Sequence, residues 1–378
     1  MRPGRILVLD HAGARSLAAR LADGRLEDLL IDPVDPDQPA PGAIYQARIT
    51  RPLKGLGGAI VELGRGQQGF LKARSGLSPN ALLPVQVNTT PTPGKPPGVT
   101  TRIALKRRSV IVFPGRPGIG FSRTFGADDI LRAGLRGIVE SIPGLDPEST
   151  GIVFRGACEH MNLSDIRDEL DEAGGDACQI LVAADPEKPG LRLAAPTAAQ
   201  RARVDWMHPE PDDVLDETGS FDTLGIWDMI GAIRTPIARL PGTSGGTASP
   251  SGGPTLILER THALVSVDVN AGGRFSPDAG YRTNLDAARE LPRQLRLRGY
   301  GGQVVVDFAP MPRRNRQSVE SVLARAFRED PVETALAGWT PLGHFELQRK
   351  NERFPLEDLA IDRLLSESAS GSPGRHRS

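Results

Sequence analysis

The sequence predicts an α+β chain built of several units, on three observations. Two short runs rich in β-branched residues, Ala263–Val267 and Gln303–Val306, each end on an aspartate and are joined by a helix-patterned stretch. A series of short, glycine-spaced strands fills Gly42–Ala73, a pattern that suggests a small barrel. The length, 378 residues, allows two to four compact units, and 43 glycines, 33 prolines and 4% aromatics suit many turns and short elements.

From the N-terminus, Arg5–Asp10 reads as a strand. Ala14–Asp23 and Leu26–Ile31 continue either as a strand meander or as a variant with a short helix, and propensity alone does not decide between them. In the barrel stretch, Gly42–Ile49, Gly57–Leu63 and Gly69–Leu71 are strands, and the pattern resumes at Val99–Thr101 after a proline-rich loop, Pro84–Pro97. Val110–Phe113, Ile119–Phe125 and Gly151–Gly156 are further strands, with a helix at Asp128–Val139. A second helix, Asn162–Ala173, starts at Ser164 and turns Asp165, Arg167, Asp168 and Glu169 to water. Ala195–Pro241 offers one helix, Phe221–Arg234, and little else; Pro241–Pro254 reads as a flexible connector.

Asn284 is expected to cap a helix whose apolar positions include Leu291, Leu295 and Leu297, and Gly299 to end it. Pro292 falls inside that helix and should kink it or delay its start. Val319–Phe327 is amphipathic and helical, Arg349, Lys350 and Arg353 lie near one another at helical spacing, and Ser366–Ser378 reads as a disordered polar tail.

Lys+Arg and Asp+Glu are both 46, so the formal charge is zero and any nucleic-acid affinity must come from local patches. The two cysteines, Cys158 and Cys178, argue against a disulfide scaffold or a cysteine zinc site. No stretch approaches the roughly 20 apolar residues of a membrane helix, and no signal peptide is evident, so a soluble cytoplasmic protein is expected. None of His11, His160, His208, His262, His344 and His376 pairs into a metal or catalytic spacing, and there is no phosphate-binding glycine loop or nucleophile elbow.

That leaves the aspartates. A carboxylate in so apolar a strand is costly without a partner, and two on neighbouring strands repel unless a cation lies between them. Carboxylates are hard oxygen ligands, and Mg2+ typically takes one or two of them plus substrate phosphates. Asp268 and Asp307 therefore point to a metal site for phosphodiester chemistry.

LERTHALVSVDVN followed by TNLDAARELPRQLRLRGYGGQVVVDF resembles the catalytic segment of the ribonuclease E/G family. The resemblance implies that Asp268 and Asp307 bind catalytic Mg2+ and that Asn270 supports Asp268. It also implies an OB-fold RNA-binding barrel inserted in a reduced ribonuclease-H-like subdomain, and a deoxyribonuclease-I-like catalytic α/β domain. The expected divisions are 1–39 (ribonuclease-H-like strands), 40–101 (barrel), 102–195 (a subdomain like the family's 5′-end sensor), 196–250 (shortened ribonuclease-H-like segment and linker), 251–365 (catalytic domain) and 366–378 (tail).

In the barrel, GAIYQARITRPLKGLGGAIVELGRGQQGFL carries the resemblance. Tyr45 and Phe70 would stack bases, and Arg48 and Lys95 would supply charge. Ile60 and Leu63 stand where the family commonly has aromatics, which predicts weaker binding. GIVFRG resembles the family's sensor for a 5′-monophosphate, with Arg155 gripping the phosphate and Ile111 and Arg123 beside it. Two neighbours depart from the pattern: Gly156 replaces a threonine, and Arg107 replaces a small glycine. Arg349 and Lys350 would contact the RNA backbone.

The implied activity is Mg2+-dependent endonucleolytic cleavage of single-stranded RNA, leaving 5′-phosphate and 3′-hydroxyl ends. A non-catalytic RNA-binding accessory protein is the alternative, and a Mg2+-dependent DNA nuclease a weaker third. The family's zinc-link cysteines are absent, so no zinc-linked oligomer is expected, and a monomer or weak dimer is the reading.

Overall fold

Short apolar runs separated by tight turns open the chain as a meander. β1 (Arg5–Ala12), β2 (Arg15–Ala22) and β3 (Arg25–Ile31) pair antiparallel in chain order. Asp23 and Gly24 turn between the last two, both at positive φ. The computed structural model describes residues 4–72, 78–123, 125–126, 129–181, 188–240, 253–272 and 278–371. The chain divides into two units: Met1–Val34 with Leu215–Ser378, and Asp35–Val214.

The middle unit begins with a closed five-strand barrel, compatible with an OB-fold. Its strands are β4 (Ile44–Leu53), β5 (Gly58–Gly64), β6 (Gln67–Lys72), β7 (Leu82–Val87) and β8 (Gly98–Thr100), in the order β4-β5-β6-β8-β7 with β7 returning to β4. β7 corrects the expected loop over Pro84–Pro97. Pro84 cannot donate to a ladder and so hides the strand from pattern reading, yet it lies opposite Gln46 in register. The adjacent Gln86 side chain receives the Ala104 amide and donates to the Gly42 and Ala104 carbonyls, which fixes the strand. Alternate residues fill the barrel, among them Tyr45, Ala47, Ile49, Val61, Leu63 and Val85.

A second sheet follows in the same unit, from β9 (Leu105–Lys106), β10 (Val110–Pro114), β11 (Ile119–Phe121) and β12 (Thr150–Phe154), ordered β11-β12-β10-β9. It is covered by α1 (Asp129–Ser141) and α2 (Leu163–Leu181). α2 runs well past the expected end at Ala173, straight through Gly174-Gly175. Its buried stripe of Ile166, Leu170, Ala173, Ala177 and Ile180 outweighs the poor helix propensity of the pair. β13 (Gly190–Leu193) adds to the edge of β4, and α3 (Ala198–Trp206) starts with a capping box between Thr197 and Gln200.

The other unit holds two cores. β14 (Asp213–Asp216), where the chain returns to this unit, joins the meander beside β1. The single helix expected over Phe221–Arg234 is two, α4 (Ser220–Thr223) and α5 (Ile226–Arg234), broken at Gly225, whose φ of 65° is left-handed. The meander, α5 and α8 (Ile361–Gly371) share one core. α8 covers part of the stretch expected as a disordered tail, and the remainder of that tail and the connector at 241–252 lie outside the described residues. Leu356, Leu359, Ile361 and Leu364 are buried in this core, so the C-terminal apolar stripe is covered by the chain's own N-terminal sheet.

The second core lies under a six-strand sheet. Its strands are β15 (Ile237–Arg239), β16 (Thr255–Arg260), β17 (Val265–Asn270), β18 (Gly302–Asp307), β19 (Thr334–Trp339) and β20 (Phe345–Arg349), ordered β15-β16-β17-β18-β20-β19. α6 (Ala279–Arg298) and α7 (Arg316–Glu329) pack on one face. α6 starts earlier than expected, so Asn284 is not its cap but a buried interior residue. Pro292 is accommodated inside the helix. Its missing N–H costs ~3 kcal/mol in a free helix, but α6 places Leu291 and Leu295 in one core and Leu297 in the other.

α6 also carries buried charge. Arg296 bonds Asp330 and approaches Asp28 at 3.3 Å; Arg353 pairs with Asp28, and Arg349 donates to Asp330 at 2.8 Å. Asp28 and Asp330 are both fully buried. The network ties β3, α6 and the end of β20 together.

Candidate metal centre and RNA-facing surfaces

Among the described residues β17 and β18 are the one parallel pair in their sheet, and α6 is the crossover that makes them so. Their register sets Asp268 directly opposite Asp307. Along β17, Val265, Val267 and Val269 point into the core beneath the helices, while Asp268 and Asn270 point to the other face and are exposed. The Asp307 side chain is 65% exposed. The carboxylates therefore stand on the open face at the carboxyl ends of parallel strands, the usual ligand position in sheets of this kind. The expected cost of the pair thus has two sources, partial burial of Asp268 first and repulsion from Asp307 second. Partial burial and the Asp307 charge both hold the Asp268 carboxyl above the usual carboxylate range.

Neighbouring residues fix the end of β18. Asn284, buried in α6, donates to the Ala309 carbonyl at 2.9 Å and accepts from the Ala309 amide at 3.0 Å. A Cβ at Gly280 would strike the Pro310 carbonyl, so only glycine lets α6 approach that loop so closely. Together they hold the backbone two residues beyond Asp307. Asn270 Oδ1 accepts from the Gly272 amide at 3.1 Å, so part of its amide is engaged in a turn. His344 Nε2 lies 3.9 Å from Asp307 Oδ1. Sequence spacing gave no sign of that histidine, because only the β18–β20 pairing brings it close.

The residues fit Mg2+. Two opposed carboxylates and a nearby amide are hard oxygen donors, and Mg2+ rarely needs an all-protein cage. Among the described residues no group of three or more His, Cys, Asp and Glu converges as a metal site, and Asp268 and Asp307 stand as a pair. Cys158 is buried, its thiol pushed up to about 12 by that burial, and it contacts the Ser109 carbonyl; Cys178 is exposed.

The expected RNA-binding residues divide. Tyr45 belongs to the barrel core and has no free face for a base, which corrects its assignment. Phe70 lies outside that core, half-buried and opposite Ile60. Arg48 is half-buried and Lys95 exposed. Arg349 is 1% exposed and its guanidinium is taken by Asp330 and Thr334, so it cannot meet RNA. Arg353 is likewise held by Asp28. Both leave or follow a strand, not a helix, which removes the expected basic helical face. Lys350 is partly exposed and pairs with Glu352 at 3.3 Å.

In the other unit, Ile111 pairs with Val153 and Phe121 with Phe154, so Ile111, Arg123 and Arg155 gather near one end of that sheet. Arg123 is exposed. Arg155 is not. It donates to the Arg107 carbonyl at 2.7 Å and the Val204 carbonyl at 3.1 Å, and stands 3.7 Å from Asp205. Arg107 turns to α2, where Asp176 (2.7 Å) and Glu172 (3.2 Å) accept from it. Beside them the rings of His160 and His208 stack 5.6 Å apart, a pairing that spacing did not reveal.

Residues 243–352, which contain both aspartates, match the family model for the ribonuclease E/G family. Ribonuclease G of Haemophilus influenzae is 26% identical over 377 residues, covering 85% of this chain and 74% of that protein. Ribonuclease G of Escherichia coli is 26% identical, covering 84% and 74%. Ribonuclease E of Escherichia coli is also 26% identical, covering 91% of this chain but 36% of that larger protein. No described helix is long and apolar enough to cross a membrane. The matched segment, the opposed aspartates within it and the similarity along most of the chain agree, and together they support the ribonuclease E/G family as what this chain resembles.

Proposed function

We propose that this protein is a Mg2+-dependent endoribonuclease acting on single-stranded RNA in RNA processing and decay, working in the cytoplasm. The observation that carries the reading is the register of Asp268 opposite Asp307 on the open face. These two carboxylates would hold the ion, with Asn270 beside them. When bound, Mg2+ supplies an activated water and stabilises charge at a phosphodiester. Asn284 and Gly280 keep the Asp307 strand end in place, and His344 stands within reach of that carboxylate.

The intact pair argues against a non-catalytic RNA-binding role. Incubating the purified protein with a 5′-labelled A/U-rich single-stranded RNA, with Mg2+ or with EDTA, tests the choice. Chelator-sensitive products are expected; RNA binding with no cleavage in Mg2+ would favour the accessory role.

RNA approaches the barrel on its Phe70 face, with Arg48 and Lys95 supplying charge. A stacked base contributes ~1–3 kcal/mol, so Phe70→Ala should weaken RNA binding by roughly 5- to 150-fold. Tyr45→Phe, at a core position, should leave it unchanged. Fluorescence anisotropy in EDTA reads both. Equal affinities for Phe70→Ala and the parent would remove Phe70 from the interface.

Arg155 reads as a weakened end sensor, because its guanidinium already serves two carbonyls and lies near Asp205. RNA with a 5′-monophosphate should be cut only a few-fold faster than RNA with a 5′-hydroxyl, less than a free bidentate arginine would give. Paired rate measurements, repeated with Arg155→Ala, check this. Equal rates on both ends before and after the substitution would mean that the arginine is purely structural.

A further inference from the structure

Beyond Asp307 the chain becomes basic: Arg313, Arg314 and Arg316 follow in a short turn that leads into α7. Arg313, Arg316, Gln317, Glu320 and Trp339 line an open groove of about 520 Å³. That volume is within the ~300–1,000 Å³ of small-ligand sites. The groove is built rather than incidental. The Arg316 guanidinium lies over the Trp339 ring, 4.7 Å from its centre, so its plane is held. Gly343 leaves room for it; a Cβ there would come within 3.0 Å of an Arg316 nitrogen. Trp339 is itself locked by Phe308 and Phe345, with ring centres 5.5 and 5.3 Å away. Its indole N–H is buried without a hydrogen-bond partner.

The position gives the groove meaning. Phe308 is the residue after Asp307, and Trp339 pairs with Phe345 beside the end of β18. Two inter-strand spacings, roughly 10 Å, separate the Asp307 strand from the Trp339 strand. The groove and the carboxylates thus share one end of one sheet, the groove at its rim and the carboxylates on its open face. Two arginines face one carboxylate, Glu320, and no ion pair neutralises Arg313 or Arg316 among the described residues. A held guanidinium plane suits an unstacked base, and a second, exposed arginine suits the phosphate attached to it.

We propose that this groove is a nucleotide subsite. It would bind one nucleotide of the RNA strand near the scissile phosphate, its base against Arg316 and its phosphate on Arg313. The proposal rests on the endoribonuclease reading for its substrate and is tested separately from it.

Cleavage kinetics on a single-stranded oligoribonucleotide are compared for the parent, Arg313→Ala, Arg316→Lys and Arg313→Ala/Arg316→Ala. For the double variant we expect KM to rise about tenfold with kcat changed less than twofold. Its log KM against log salt slope should fall by about 0.7 for each phosphate that is no longer neutralised. Arg316→Lys keeps the charge but loses the plane, and should recover only part of the loss. Arg313 is exposed, so its substitution reports on binding even if Arg316→Ala disturbs α7. Unchanged KM in Arg313→Ala and in the double variant would overturn the subsite. If the parent cleaves nothing in Mg2+, labelled RNA is titrated in EDTA instead. Arginine-dependent binding would then keep the subsite while the catalytic reading fails, and arginine-independent binding would overturn it. Displacement of the RNA by polyglutamate as readily as by RNA of equal charge would make the groove a general polyanion or acidic-protein site, and would also overturn it.

Discussion

Asp268→Asn and Asp307→Asn should each abolish RNA cleavage while leaving the fold intact. Metal stabilisation of a phosphodiester transition state is worth several kcal/mol, so a loss of about 10³-fold or more in kcat is expected. Stability should move the other way. Asp268 and Asp307 stand opposite each other, and partial burial together with their repulsion raises the Asp268 carboxyl above its unfolded value. A raised carboxylate destabilises the fold at neutral pH, and the strain is relieved as the pH falls toward that raised value. Either amide substitution removes the repulsion, so the melting temperature should hold or rise. The same logic predicts that Mg2+ stabilises the parent, by about 1.4 kcal/mol at ten times its Kd, and stabilises the variants much less. Kinetics with purified variants, alongside melting curves with Mg2+ or EDTA, measure all three. Undiminished cleavage by either variant would end the assignment of these aspartates, and a lowered melting temperature would mean that the carboxylates stabilise the sheet through contacts other than their mutual one.

What the sequence disclosed here was local. β-branched runs, glycine spacing and one crossover-length segment were enough to find β17, β18 and the helix between them, and hence the opposed aspartates. Parts that depend on distant partners stayed hidden. Arg349 and Arg353 look like a solvated basic face, but Asp330 and Asp28 bury them, and Asp28 is 325 residues from Arg353. Asn284 has the chemistry of a cap, but serves as a buried clamp on Ala309, 25 residues away. Pro84 broke a strand pattern that barrel closure restores. Tyr45 has the right chemistry for stacking, but strand alternation turns it inward with Ala47 and Ile49. His344 became visible only when β20 paired with β18. Side-chain type and spacing thus pointed to the chemistry, while the choice between a buried and an exposed role waited on tertiary pairing.

The buried arginine network sets the largest expected effect on stability, and Asp330→Ala is its sharpest test. Asp330 Oδ1 accepts from Arg349 at 2.8 Å and from the Val332 amide at 2.9 Å, while Oδ2 faces Arg296. Truncation leaves the Arg349 guanidinium hydrogen-bonded to Thr334, and Arg296 with Asp28 and the Glu27 carbonyl. Breaking a buried pair in this way costs ~3–5 kcal/mol, because the orphaned charge stays desolvated. At ~2–4 °C per kcal/mol for a unit of this size, the melting temperature should fall by roughly 6–20 °C. Asp330→Asn keeps an acceptor and should lose less. Arg349 pairs with Gly302 at the far end of β18 from Asp307, about 17 Å away by strand rise, so kcat per folded molecule should hold at low temperature. Asp28 supplies the pH dependence. Burial pushes its carboxyl up, and Arg353 and Arg296 beside it more than reverse that, so it sits below the usual range. Its contribution is therefore present above the unfolded value of about 3.9 and is lost as the pH falls through the lower folded one. Asp28→Asn should flatten the acid limb of the melting-temperature curve below about pH 5, at the cost of a lower plateau. Thermal melts of the three variants from neutral to acid pH decide the matter: an Asp330→Ala melt within 2 °C of the parent would mean that water or backbone relaxation screens these charges, and that packing of α6, not the network, joins the two cores.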